Sequence, residues 1–469
     1  MSFAYILLAL FVFGILIFIH ELGHFLAARA CGVGILEFSI GMGPKIFSKK
    51  SKKSGTLYSL RLLPIGGYVS MLGENGMEAV QGNNGEVKNE DEPIFINSTE
   101  DVVPNADAAS TPAVDPEFEK HAYCNQSVWR RILISIAGPA MNVVLGFLLM
   151  FVIVFASGEN AVASTRVGAF FVRYTAQTAE ECGLQAGDYL SYVVIKGENG
   201  EEKRGAYSID LLRQYAESSE TGTLDVAILR EDEKGNVEEI LLRDVPLSEI
   251  LATNALEQSL SSAQLQIGDT IKKVNSTRVH TYHELAYEVM NQGDRPISFT
   301  VERNGKTVTL DAVQIPTFVD PASNTVFGDM DFRVYPEDSF HLGTVIKHAW
   351  YRSLSTVKMV YDSLVGLFSG RYGVEAVSGP VGITKTISDV AKTGFMNVLY
   401  LVTVISINLG VMNLLPVPAL DGGHLLLYLI EIIRRKPVKK EIEGMINFIG
   451  LVILLALAVI ISIKDIIAL

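Results

Sequence analysis

Hydrophobic and polar positions divide the chain into apolar runs near both ends and an alternating middle. Four stretches carry the roughly 20 mostly apolar residues that a helix needs to cross a hydrocarbon layer. They are Phe3 to Ile19, continuing through a polar interruption to Ala28; Ile132 to Ser157; Thr393 to Leu420; and Met445 to Ile463. The second and third carry no charge. A cleaved leader is the alternative reading of the first run, because Ala28-Arg29-Ala30 resembles a cleavage site. Against it, no Lys or Arg precedes Arg29, and a leader's apolar core would not contain His20, Glu21 and His24. From Glu159 to Phe340 the pattern turns to strand alternation, as in Ile297 to Arg303 and Lys306 to Leu310 around the Asn304-Gly305 turn.

That middle region holds a faint internal repeat. Cys182-Gly183-Leu184-Gln185-Ala186-Gly187-Asp188-Tyr189-Leu190 resembles Ala263-Gln264-Leu265-Gln266-Ile267-Gly268-Asp269-Thr270-Ile271. A helix candidate follows each copy, at Ser208 to Glu217 and Tyr282 to Met290, and strands follow the helix. This order resembles two PDZ-like domains; two unrelated αβ modules are the alternative. Beyond them Trp350, Leu354, Val357, Tyr361, Leu364 and Phe368 recur at spacings of four and three, with His348, Arg352 and Lys358 off the stripe. We expect an interfacial helix there, or one packed on the soluble domains. Nearer the start, Tyr58 to Val69 with its Gly66-Gly67 pair suggests a small β-hairpin, apolar enough to dip into the membrane. Glu74 to Lys120 carries twelve acidic residues against two basic ones, the composition of a disordered insertion.

The resulting division is 1–30, first span; 31–73, loop with the hairpin; 74–131, acidic insertion; 132–157, second span; 158–250 and 251–340, the PDZ-like domains; 341–392, interfacial region; 393–424, third span; 425–444, connecting segment; and 445–469, fourth span. The fold class expected is therefore an α-helical polytopic membrane protein of four transmembrane helices with a membrane-associated β-hairpin and two inserted PDZ-like α/β domains.

Charge sets the orientation. Lys45, Lys49, Lys50, Lys52, Lys53, Arg61, Arg130 and Arg131 lie between the first two spans, and Arg434, Arg435, Lys436, Lys439 and Lys440 between the last two. Basic loops stay on the cytoplasmic side, which puts both termini and the middle region outside. The net charge of -13 argues against nucleic acid as a partner. Hydrophobic residues make up 49% of the chain, which points to a bilayer. Three cysteines, Cys31, Cys124 and Cys182, without CxxC spacing argue against a thiolate zinc site or a disulfide framework.

His20-Glu21-Leu22-Gly23-His24 carries the chemistry. Residues four apart on a helix share a face, so both imidazoles reach one zinc ion, and Glu21 is placed to take a proton from water. Ionisable residues inside a span are costly and usually functional; a polar helix end is the alternative. A hydrolytic zinc needs a third protein ligand and an open position. Asp421, closing Asn413-Leu414-Leu415-Pro416-Val417-Pro418-Ala419-Leu420-Asp421-Gly422, is the best candidate, with His424 ranked below it and an Asp-Gly-Gly helix-terminating turn as the structural alternative. A metal transporter and a non-enzymatic scaffold are the rival classes. A transporter would spread polar groups along several spans, and a scaffold has no use for HExxH inside one.

HELGH in the first span, Ala137-Gly138-Pro139-Ala140-Met141-Asn142 opening the second and NLLPVPALDGG closing the third resemble the site-2 protease family. With Ser378-Gly379-Pro380-Val381-Gly382-Ile383 before the third span, the layout is similar to its bacterial regulator-of-sigma-E protease branch. The resemblance covers nearly the whole chain except the acidic insertion. It implies an intramembrane zinc metalloendopeptidase, with Zn²⁺ held by His20, His24 and Asp421 and Glu21 as general base. It also implies substrate contacts from Asn408 and Asn413, and a reentrant hairpin (Gly66, Gly67, Tyr68) that pairs with an unwound substrate. The substrates implied are single-pass membrane proteins, such as anti-sigma factors, already trimmed by an upstream site-1-type protease, or remnant signal peptides. The location implied is the bacterial inner membrane.

Overall fold

In a computed structural model the described residues are 3–467, except 53, 75–119, 177–181, 198–199, 207–208, 218, 220, 232–236, 253–254, 321–324 and 374–376. Most of the acidic insertion expected at 74–131 lies outside the described residues. The chain forms two units, 1–146 with 378–469, and 147–377.

Four helices among the described residues are long and apolar enough to cross a membrane. They are α1 (Phe3–Ala30), α2 (Val128–Ser157), α7 (Phe395–Asn413) and α9 (Lys440–Ile467). Their outward side chains are apolar and exposed, for example Phe11, Leu148, Phe155, Ile453 and Ile460. Exposed apolar surface on this scale marks a membrane-facing or protein-facing side. The first unit adds the strands β1 (Ile35–Lys50) and β2 (Leu57–Met71), and the helices α6 (Pro380–Ala391) and α8 (Asp421–Arg434). Helix α6 packs against α1, α7 and α9. Asp465 of α9 accepts the Gly379 and Gly382 N–H groups at the start of α6, at 2.8 and 2.9 Å.

Two expectations for this unit are corrected. The hairpin is larger than Tyr58 to Val69, because β2 pairs with β1 along most of its length. Residues 37–40 lie between 57–60 on one side and 67–70 on the other. Gly66 sits within β2 at φ +85, where the strand bends back. The third span also ends early. Helix α7 stops at Asn413, residues 414–420 form turns, and Asp421 opens α8 rather than closing the span. Pro416 and Pro418 are the cause, since each lacks an N–H and disfavours helix at the residue before it. The segment expected as a connector at 425–444 is therefore helical up to Arg434 and again from Lys440.

The second unit holds two β-domains with separate cores. One sheet runs β13 (Lys306–Val313), β12 (Ile297–Arg303), β10 (Thr270–Val274), β3 (Ala163–Phe170) and β16 (Phe332–Pro336), with β11 (Thr277–Arg278) paired to β10 and a separate hairpin of β14 (Thr317–Asp320) and β15 (Thr325–Gly328) before β16. The other runs β8 (Val237–Pro246), β7 (Thr223–Glu231), β5 (Tyr189–Gly197), β4 (Val172–Tyr174) and β9 (Leu256–Gln258), with β6 (Gly200–Gly205) paired to β5. Helix α3 (Ile209–Glu217) covers the second sheet through Leu212 and Tyr215. Helix α4 (Tyr282–Gln292), started by a Thr281–Glu284 capping box, covers the first through Leu285 and Val289.

The strand pairing does not follow the expected division at residue 250. Strand β3 precedes every strand of the second sheet in sequence but pairs with β10 and β16, so that one domain is inserted in the other. The repeat has a shared physical basis. Arg230 grips Asp188 with two bonds at 2.8 Å and donates to Gly183 O, while Arg303 grips Asp269 at 2.7 and 2.6 Å and donates to Gln264 O. Each Asp also accepts an N–H three residues back, from Gln185 and Gln266.

Helix α5 (Leu342–Phe368) carries the stripe expected at 350–368 on its outside. Trp350, Leu354, Tyr361 and Phe368 are exposed, and the small and polar residues Thr344, His348, Ser353 and Thr356 are buried. It packs on α4, where Tyr287 donates to Asp362 at 2.9 Å and Lys358 pairs with Glu288 at 2.8 Å.

Candidate metal and catalytic site

A cavity of about 1180 Å³ opens within the first unit, lined by His20, Glu21 and His24 of α1 and by Asp421 of α8. His20 Nε2 and His24 Nε2 lie 3.2 Å apart, and Asp421 approaches them at 3.1 and 3.5 Å. All three side chains offer ligand atoms within 4.8 Å of one another. A tetrahedron with metal–ligand bonds of 2.0–2.1 Å has edges of about 3.3 Å, close to these separations.

The second helix fixes the imidazoles through residues four apart on one face. His24 Nδ1 donates to Ile134 O at 2.8 Å, which leaves its Nε2 lone pair facing Asp421. The amide of Asn142 stands 3.4 Å from His20 Nδ1, and its buried Oδ1 has no other partner. Turned to face the ring, that oxygen accepts the Nδ1–H and frees Nε2 in the same way. Between them Gly138 gives the His24 ring its space, since a Cβ there would lie 2.7 Å from Cε1 and 2.8 Å from Cδ2. Gly23 allows the matching approach from α1. A His₂Asp donor set, with a partner from α2 within reach of the second nitrogen of each ring, fits zinc and supplies three of its four ligands.

Asp421 reaches this point because the chain reverses tightly before it. Ala419 adopts φ +70, and a Cβ on Gly423 would lie 2.5 Å from Val417 O. Glu21 lies beside the curled sheet: it takes a hydrogen bond from the Val69 backbone, and Gly67 stands so close that a Cβ would come within 3.2 Å of its Cγ. Of the other residues expected to meet substrate, Tyr68 and Asn413 line the cavity. Gly66 lies against Met42, and Asn408 is exposed on α7 outside the lining.

The far half of the cavity escaped the sequence reading. Tyr123 and Tyr428 share a 2.7 Å hydrogen bond, and Arg131 binds Glu431 at 2.7 Å while covering the Tyr428 ring. Burial raises the pKa of both phenols, so they stay neutral. His424, three residues after Asp421, is bound to Glu443 at 3.1 Å rather than to the imidazoles, and the carboxylate raises its pKa. These contacts join positions as far as 305 residues apart, and no local spacing announces them.

The model of peptidase family M50 matches residues 8–457. The chain is 30% identical to "Zinc metalloprotease RasP" of Geobacillus kaustophilus, over 97% of this chain and 96% of that one. It is 28% identical to "Regulator of sigma-W protease RasP" of Bacillus subtilis, over 97% and 96%, and 28% identical to "Probable protease eep" of Enterococcus faecalis, over 97% of each. The match runs through the HELGH helix, the Gly138–Asn142 contact face and the Asp421 turn, and on that extent this chain belongs to peptidase family M50.

Proposed function

We propose that this chain is an intramembrane zinc metalloendopeptidase, with His20, His24 and Asp421 as the zinc ligands and Glu21 as the general base. The convergence of the two imidazoles and one carboxylate, 397 residues apart between His24 and Asp421 in number, inside a unit of lipid-facing helices carries the reading. Zinc held there supplies a Lewis acid that acidifies water and polarises a scissile carbonyl. Glu21 lines the same cavity and accepts the proton. Ile134 O and Asn142 aim the two imidazoles.

A membrane-spanning substrate helix hides its carbonyls in i to i+4 hydrogen bonds and must unwind before attack. The strand around Gly66, Gly67 and Tyr68 runs beside Glu21, and strand addition there would replace the lost hydrogen bonds. Asn413 holds the substrate backbone inside the cavity, and Asn408 does so at the outer face of α7. The four apolar helices span a bacterial inner membrane with both termini outside, in keeping with the basic loops. The two β-domains are PDZ-like and extracytoplasmic; their nested cores and paired Asp–Arg clamps support one fold used twice. The outward stripe of α5 then rests at the lipid interface. Single-pass membrane proteins are the substrates, and anti-sigma factors are the favoured class because one relative is named a regulator of sigma-W. An upstream site-1-type protease would trim them first.

The test is metal analysis of purified protein with cleavage of a single-span reporter. Glu21→Gln should keep zinc and lose about 10² to 10⁴ in rate. Asp421→Ala should lose zinc even at saturating metal, whereas His424→Ala should still fill the site there, with at most a weakened affinity. Near-normal turnover by Glu21→Gln, or zinc retained by Asp421→Ala, would overturn the assignment.

A further inference from the structure

One face of the last helix touches the turn that delivers Asp421. Glu443, Asn447 and Gly450 stand at i, i+4 and i+7 on α9, and together they meet Pro418, Ala419 and His424. Glu443 Oε1 lies 3.1 Å from His424 Nδ1. Asn447 Oδ1 accepts the Ala419 N–H at 3.3 Å, and its amide nitrogen lies 3.5 Å from His424 Nε2. Buried Gly450 lets Pro418 come so close that a Cβ would stand 2.5 Å from its Cβ and 2.7 Å from its carbonyl oxygen.

The turn needs such support. The two prolines leave few backbone donors, and left-handed Ala419 has a conformation that an alanine does not hold unaided. The Asn447 bond fixes the N–H of that same residue. On the other side of Asp421, His424 lies three positions on along α8, so Glu443 fixes the rotation of the helix turn that presents the carboxylate. The contacts therefore bracket Asp421 from residues 418–419 and from residue 424, while α1 and α2 fix the two imidazoles independently.

We infer that Glu443, Asn447 and Gly450 are positioning residues, through which the last helix holds Asp421 at bonding distance from the two histidines. The inference rests on the metal-site reading above. It assigns the final helix a part in the zinc site although it contributes no ligand. Outer supports of this kind typically change metal affinity by about 10- to 100-fold when removed.

The experiment uses full-length protein purified in detergent. Zinc affinity is measured against a graded chelator series, with thermal unfolding of the same samples. Asn447→Ala and Gly450→Ala should each weaken zinc affinity by about 10- to 100-fold. Asn447→Asp keeps the acceptor for Ala419 N–H and should recover most of that loss. Glu443→Gln keeps an acceptor for His424 and should exceed Glu443→Ala in affinity. Loss of thermal stability with unchanged zinc affinity in the alanine variants would mean a structural role alone and would overturn the inference. So would equal loss in Asn447→Asp and Asn447→Ala. Asp421→Ala separates the two levels. If it loses zinc while Asn447→Ala and Gly450→Ala hold it normally, the brace falls and the metal site stands. If it keeps zinc, both fall.

Discussion

Gly138 offers a direct test of how α2 shapes the proposed metal site. Alanine at this position would place a methyl carbon 2.7 Å from His24 Cε1 and 2.8 Å from Cδ2, and nearer still to Nε2. Carbon atoms pack at about 3.5–4.0 Å, so one partner must move by about 1 Å. The α2 backbone is held by its own hydrogen-bond ladder. The His24 ring is held at its other nitrogen by Ile134 O at 2.8 Å and is 9% exposed, so it has little room to swing. A displacement of about 1 Å is half of a zinc–nitrogen bond of 2.0–2.1 Å. Gly138→Ala should therefore weaken zinc affinity and lower kcat/KM by about 10²-fold or more. Gly146→Ala is the control, on the same helix. There a Cβ would press on the buried Ile407 side chain, with Thr403 O at 3.5 Å, away from the cavity. It should cost about 1–3 kcal/mol of stability by overpacking and leave zinc affinity intact. The assays are chelator competition, thermal unfolding and reporter cleavage on both proteins. Normal zinc affinity and turnover in Gly138→Ala would refute the reasoning. Equal zinc loss in both variants would instead trace the effect to helix separation.

Three further outcomes are expected. Asp269→Ala and Asp188→Ala should each destabilise their own β-domain by about 3 kcal/mol, because each leaves a clamped arginine and an N–H without the carboxylate; urea unfolding of the second unit would measure it, and a loss below about 0.5 kcal/mol in both would count against the clamp. Burial, then repulsion from Arg352 and His348, lowers the His283 pKa to about 3. The unfolded chain binds that proton near pH 6.5, so the contribution is intact above 6.5 and falls by up to about 1.4 kcal/mol per pH unit toward pH 3; His283→Gln should flatten unfolding midpoints over that window, and an unchanged slope would reject the assignment. Removing zinc with a chelator should abolish reporter cleavage and readdition restore it, while Glu21→Gln stays inactive in both states; cleavage that survives complete removal contradicts the metal mechanism.

Much of this protein was readable from local pattern. The four apolar runs were visible because lipid selects for length and hydropathy alone. HELGH was visible because a helix brings positions 20 and 24 to one face whatever surrounds it. The Gly187-Asp188 and Gly268-Asp269 copies announced a repeated module because each Asp caps its own turn locally, from Gln185 and Gln266. The tertiary structure decided what depends on pairing between distant segments. Strand β3 could have belonged to either domain by its alternation, and only its bonds to β10 and β16 assign it. The inward face of α9 carries Glu443, Asn447 and Asp465 in an otherwise apolar run, but which elements they meet, the 418–424 turn and the start of α6, is set only by the packed structure. The meeting of Asp421 with two histidines 397 or more positions away follows from helices packing at Gly23, Gly138 and Gly410. Sequence records which residues can approach closely, but the distance between helices is set only when all of them pack together.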